Sequence, residues 1–251
     1  GTYCTAIGYE AGELITGSLN TVIGYQAADS LASGTSNTVL GARAFYAADG
    51  SETNNTILGT DAGNAIDHDD TDGNVIIGQD AGQGGGVALI GNVVIGRNAM
   101  NSTGNNAQTG TVAIGYDALT ALTSGAGNTA VGYESAKANL TGDNNTALGY
   151  RALLTCTGGN NTAIGQGSMT DLVEGTDNVA IGKAAFGGAL DATADASVGN
   201  VFIGKDAGGG AWVTAVSEYN VAIGHKSLDA NLNGANYNVA VGRRAATMLV
   251  S

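Results

Sequence analysis

The densest run of chemistry-bearing side chains is Asp67-His68-Asp69-Asp70-Thr71-Asp72-Gly73, four carboxylates and an imidazole in one short stretch. Hard divalent cations draw several oxygen ligands from such loops, so Asp67, Asp69, Asp70 and Asp72 are the candidate Ca2+ ligands. The spacing follows part of the Asp-x-Asp-x-Asp-Gly calcium-loop pattern, with His68 in place of the first Asp and no Glu at the twelfth position. The alternative is a solvated acidic loop that keeps the chain soluble. A second set is aromatic: Tyr9, Tyr25, Tyr116, Tyr133 and Tyr150 each stand directly after a Gly. Tyr116, Tyr133 and Tyr150 are candidate contacts for a surface glycan, since sugars stack on aromatic strips; stacked rings also stabilise parallel ladders.

Little else could react. His68 and His225 are the two histidines, and no P-loop, spaced Cys/His metal site or nucleophile with a base is present. The expectation is a non-enzyme with no cofactor beyond that Ca2+. Lys and Arg number 9 against 22 Asp and Glu, and a net charge of -13 repels phosphate, so nucleic acid is excluded as a partner. No apolar run approaches the roughly 20 residues of a membrane helix, so no membrane insertion is expected in this segment. Cys4 and Cys156 lie eight rungs apart in the repeat described next, roughly 40 Å at one strand spacing of ~4.8 Å per rung, too far to pair within one chain. Sequons at Asn54, Asn101, Asn139, Asn144 and Asn160 follow from a repeat rich in Asn-Asn-Thr and carry little weight.

What positions these residues is a repeat. Its glycines are Gly8, Gly24, Gly41, Gly59, Gly78, Gly96, Gly115, Gly132, Gly149, Gly165, Gly182, Gly204, Gly224 and Gly242, spaced 16 to 22 residues apart. Such a period marks a solenoid, in which each rung stacks on the last and cannot bury its own apolar residues alone. The expected fold is all-β: a repetitive parallel β-solenoid of about fourteen rungs, one continuous domain over residues 1–251, roughly 65 Å long at ~4.8 Å per rung. Pro is absent and the 42 glycines show no triplet period, which excludes collagen and Pro-rich disorder. The chain begins within a repeat at Gly1, so a segment of a longer chain is expected.

Three residues before each Gly stands Thr or Val, and one before it Ile, Leu or Val. This alternation places both on one face of a short strand, read as the solenoid interior. The residue between them points the other way, yet it is apolar: Val22, Val39, Ile57, Ile76, Val94, Ala113, Ala130, Ala147, Ala163, Ala180, Phe202, Ala222 and Ala240. These thirteen are the expected oligomer interface, with small side chains letting identical ladders meet around the axis of a homotrimer. Four before the Gly, Asn recurs at Asn20, Asn37, Asn55, Asn74, Asn92, Asn128, Asn145, Asn161, Asn178, Asn200, Asn220 and Asn238. Asn suits a tight corner and can bond rung to rung as a ladder. Gly supplies a positive φ, and the small Ala or Ser three beyond it, as in Ala27, Ala118, Ser135 and Ser227, fills a narrow inward space.

The phrase Asn145-Thr146-Ala147-Leu148-Gly149, followed by Ala152, resembles the Asn-Ser-Val-Ala-Ile-Gly-x-x-Ser head repeat of trimeric autotransporter adhesins. It is closer to the Asn-Thr-Ala-Ile-Gly-Tyr-x-Ala-Leu repeats of phage tail-fibre-like and bacterial surface proteins. The resemblance covers the whole chain and implies a homotrimeric left-handed β-roll used as an extracellular stalk, head or fibre, on a cell or virion surface. The function so implied is surface attachment or filament assembly, with end-to-end joining of rods and a surface glycan or receptor as further partners. A phage tail-fibre shaft supporting receptor binding is the alternative. Ile23-Gly24-Tyr25-Gln26-Ala27-Ala28 also resembles the unit of hexapeptide-repeat acyltransferases, but only one hexad per turn carries that signature, and the spacing wanders by single residues.

Overall fold

The computed structural model describes residues 1–104, 107–187, 196–210, 216–229 and 234–247. Among them every named element is a strand, and the architecture is a parallel β-solenoid. The chain divides into two compact units, Gly1–Asn128 and Thr129–Ser251. The first holds β1 (Thr5–Ile7), β2 (Thr21–Ile23), β3 (Thr38–Leu40), β4 (Thr56–Leu58), β5 (Val75–Ile77), β6 (Leu89–Ile90), β7 (Val93–Ile95), β8 (Gln108–Thr109) and β9 (Val112–Ile114). The second holds β10 (Thr129–Val131), β11 (Thr146–Leu148), β12 (Thr162–Ile164), β13 (Val179–Ile181), β14 (Val201–Ile203), β15 (Val221–Ile223) and β16 (Val239–Val241).

Register is unbroken within each unit. Thr5, Thr21, Thr38 and Thr56 pair in succession and lead into Val75, while Thr129, Thr146 and Thr162 pair in succession and lead into Val179. Loop-length differences are therefore absorbed in the turns and never in the strands. β6 and β8 form a second, parallel ladder at a corner, extended by bridges from Thr53 to Asp72 and from Asp72 to Ile90. Two-residue strands of this kind leave no alternation to read in the sequence.

The repeat Gly is required twice over. Its φ, +145° at Gly24 and +149° at Gly41, lies where L-residues are strained. A Cβ on Gly24 would also sit 2.3 Å from the Gly41 carbonyl oxygen on the next rung. Every rung then turns on further left-handed residues, such as Gln26 and Ala28 or Arg43 and Phe45.

Buried Asn side chains knit the opposite corner. The Asn37 amide N–H donates to Asn20 Oδ1 at 2.9 Å, Asn55 to Asn37 at 3.0 Å, Asn74 to Asn55 at 3.0 Å and Asn92 to Asn74 at 3.0 Å. The same ladder runs from Asn145 to Asn238 in the second unit. From Asn20 to Asn92 and from Asn145 to Asn220 the Nδ2 also satisfies a carbonyl about one turn further on, as Asn20 does for Gly34 and Asn161 for Gly175. Where the repeat lacks Asn, substitutes act. The Thr111 N–H takes Asn92 Oδ1 at 2.8 Å, and the exposed Cys4 thiol donates to Gly17 O at 3.3 Å, the carbonyl equivalent to Gly34 one rung earlier.

The two faces of the strand are interchanged relative to expectation. Val22, Val39, Ile57, Ile76, Val94, Ala113, Ala130, Ala147, Ala163, Ala180, Phe202, Ala222 and Ala240 are 0–4% exposed within a single chain. They line the coil interior, so they are not available as an oligomer interface. The physical reason is room. A turn of 16 to 22 residues encloses little volume, and it is filled jointly by this middle residue and by Gly+3 and Gly+4 residues such as Ala44, Phe45, Ala152 and Leu153, all fully buried. The small residue therefore fits a narrow coil instead of admitting a second chain. Ala27, Ala118, Ser135 and Ser227 do fill the inward space assigned to them.

Candidate functional site

With the middle residue turned inward, the flanking pair of every strand points out. In the first unit Thr5, Thr21, Thr38 and Thr56 are exposed and Val75, Val93 and Val112 half-buried; alongside runs a row of Ile7, Ile23, Leu40, Leu58, Ile77, Ile95 and Ile114. In the second unit Thr129, Thr146, Thr162, Val179, Val201, Val221 and Val239 run beside Val131, Leu148, Ile164, Ile181, Ile203, Ile223 and Val241. Leu40 is 43% exposed and Leu148 45% exposed although each is flanked by rungs on both sides. Neither row holds a charged residue, in a chain of net charge -13. Three-residue strands on seven rungs give each unit an uncharged face of Thr, Val, Ile and Leu of roughly 330 Å2 at ~3.3 Å per residue and ~4.8 Å per rung. That area is within the roughly 300–600 Å2 of the largest patch on a typical monomer, so the regular return of the same residue types, and not its size, sets the face apart.

Charge begins beyond the Gly. Arg43 pairs with Asp61 on the next rung at 2.7 Å, and Gln26 donates to Glu10 at 2.7 Å. Glu134 accepts from Arg151 at 2.6 Å and Lys137 at 2.9 Å, and those two donors hold its carboxyl below the usual carboxylate range. Arg151 also lies over the Tyr150 ring, 5.6 Å from its centroid.

The tyrosines form stacks. Tyr9 and Tyr25 are 5.5 Å apart with ring planes at 12°, and Tyr133 and Tyr150 are 5.3 Å apart at 7°. Tyr116 is exposed. Rings stacked this way use their faces on each other, so between neighbours the strip offers solvent ring edges and phenol oxygens, not the flat platform that sugar stacking uses. At the opposite corner Tyr219 and Tyr237 stack likewise at 5.4 Å. A hydrogen bond to Glu10 pushes the Tyr9 phenol up.

The acidic loop is divided among separate tasks. Asp72 Oδ1 accepts from Thr53 Oγ1 at 2.7 Å and Asn54 Nδ2 at 2.8 Å, and these bonds hold its carboxyl down. Asp69 Oδ1 accepts from Ser51 N at 2.9 Å. The Asp70 N–H donates to His68 Nδ1 at 3.2 Å, while burial and then Asp49 raise Asp67. Among the described residues, the carboxylates whose oxygens lie within 4.8 Å of one another as a set of three are Glu10, Glu13 and Asp29, at the surface of the first two rungs. Trp212 lies outside the described residues.

One residue passed over in the sequence is Glu52, fully buried with Oε1 unpartnered. Its rung carries no repeat signature at that position, so only register with Thr71 and Leu89 locates it inside. A signal for the reversed faces was present: half of the positions three before the Gly are Thr, a residue that suits a surface or an interface better than a dry interior. No protein-family model matches this chain, and no curated protein is similar enough to it to supply a family. Among the described residues no helix is long and apolar enough to cross a membrane.

Proposed function

We propose that this chain is a non-enzymatic structural segment of a homotrimeric extracellular fibre, serving attachment at a cell or virion surface or filament assembly. The carrying observation is the outward pair of rows, charge-free on every rung of both units, with an aliphatic residue in one row and Thr or Val in the other. A solenoid strand whose inner face is already filled by its own coil has no internal reason to be apolar outside as well. Identical chains fit that face best. The rows repeat with the rung spacing, so ladders from copies of one chain match rung for rung around a closed cyclic axis. Thr methyls and aliphatic side chains then mesh without burying a charge. The register carried unbroken through each unit supports a stiff scaffold.

Light scattering on this segment tests the reading. A particle of three times 24.6 kDa is the expected result. A stable monomer with its outer rows in water would overturn it.

A further inference from the structure

Ten backbone carbonyls that lie 13 to 19 residues further along the chain accept the Nδ2 of a ladder Asn: those of Gly34, Glu52, Thr71, Leu89 and Gln108 in the first unit, and Gly158, Gly175, Ser197, Ser217 and Ala235 in the second. They mark one corner position, rung after rung, and Glu52 is the one ionisable residue among the ten. Its side chain is fully buried. One carboxyl oxygen, Oε2, accepts from the Gly50 N–H at 3.2 Å, while Oε1 has no hydrogen-bond partner. Neighbouring rungs place Gly34 and Thr71 at the equivalent position, neither of them a base. The charges that act on Glu52 are Asp49 and Asp69, both negative, across the Gly50–Ser51 turn to whose Ser51 N–H Asp69 is bonded.

We infer that Glu52 is a pH-sensitive latch: as a neutral acid it seals the corner of the third rung, and its ionisation loosens that corner locally. A buried carboxylate with no cation, only two neutral backbone donors (its own N–H and that of Gly50) and two anions nearby is unfavourable, whereas the protonated acid is merely a polar group. Burial, the largest cause, accordingly raises its titration above the ordinary carboxyl range. The sign follows: the seal is intact below the ordinary Glu range and is lost as pH rises through the raised value, the opposite of a salt-bridged carboxylate. The loosening is local, because rungs of a solenoid open in part without global unfolding.

Hydrogen exchange of the full chain between pH 4.5 and 9, in chelator and corrected for intrinsic rates, tests this. In the wild-type chain the opening constant of the segment 49–55 should rise about tenfold per pH unit across the titration window, relative to the segment 156–161 of the second unit. Glu52→Gln should abolish the rise. Glu52→Leu, which places there what the fifth rung already carries as Leu89, should do the same and covers failure of the first variant to fold. Parallel pH profiles for wild type and both variants would overturn the latch. So would Ca2+ closing the wild-type corner at pH 8 but not that of Glu52→Gln, since Glu52 would then be a ligand.

Discussion

The two units fill their coils differently. In the first, strand and turn both supply bulk: Val22, Val39, Ile57, Ile76 and Val94 stand at the middle position, and Leu31, Phe45, Ile66, Met100 and Leu119 are fully buried in the turns. In the second, that position is Ala on six of seven rungs, and bulk comes from the turns: Leu153, Met169, Leu172 and Phe186 are fully buried. Phe202, the exception, packs edge-on against Phe186 at 4.8 Å. The outer rows do not follow this difference. Aliphatic residues stand one before the Gly in both units, and Thr or Val three before it. Inside, the middle residue varies from Ala to Phe, and the core tolerates that variation so long as it stays filled. Outside, the same residue types return rung by rung, the regularity on which the proposed trimer rests.

The comparison breaks most sharply at the core. Ile57→Ala should cost about 2–5 kcal/mol, because the fully buried Phe45 and Ile66 around it are held by the stacked rungs and the void cannot collapse. Urea unfolding, or exchange of the neighbouring rungs, reads the loss. The reverse change in the second unit, Ala147→Ile, should destabilise by about 1–3 kcal/mol through overpacking, and adding Leu153→Ala should recover part of it. A double-mutant cycle with no coupling would refute the exchange of volume between strand and turn. Asn55→Ala removes the acceptor of one ladder step and leaves the Asn74 N–H without its partner, at about 1–3 kcal/mol for a buried group left unpaired, while the Thr71 carbonyl keeps the Thr53 N–H. Asn161→Ala in the second unit should cost a similar amount, because the ladder is common to both.

The thiols give a smaller, cleaner contrast. Burial pushes the Cys156 thiol up to about 12, whereas Cys4 is exposed. A thiolate-directed reagent at neutral pH should therefore label one cysteine per chain, Cys4, with Cys156 reacting only after denaturation. The folded state holds the Cys156 proton more tightly than the unfolded one. The stability this contributes is intact below the ordinary thiol range and is lost as pH climbs towards 12.

The strands, their register and the corner rules were legible because they are local. Thr or Val, an apolar residue and an aliphatic before Gly define β1 as plainly as β12, and the left-handed Gly and stacked Asn follow from backbone chemistry at single positions. Which face of the strand is inside was not legible from alternation. Period two distinguishes the faces without saying which is the core, and with both faces apolar the usual polar mark is missing. Thr21, Thr38 and Thr146 held the best clue. The aromatic strip was readable as a strip, but only coordinates show that Tyr133 and Tyr150 turn their faces to each other. The four aspartates looked convergent because they are adjacent in sequence. In space Asp72 bonds to Thr53 and Asn54 while Asp69 bonds to Ser51.

The outer rows are the central claim, and a charge placed within them tests it most directly. Leu148→Glu puts a carboxylate in the middle of the outward face without touching the coil interior, so a folded chain should persist with its circular dichroism unchanged. Light scattering of this variant beside the wild type should show the wild type at three chain masses and the variant at one. Trimers that survive Leu148→Glu unchanged would contradict the account, because the chains would then be joined through some other surface.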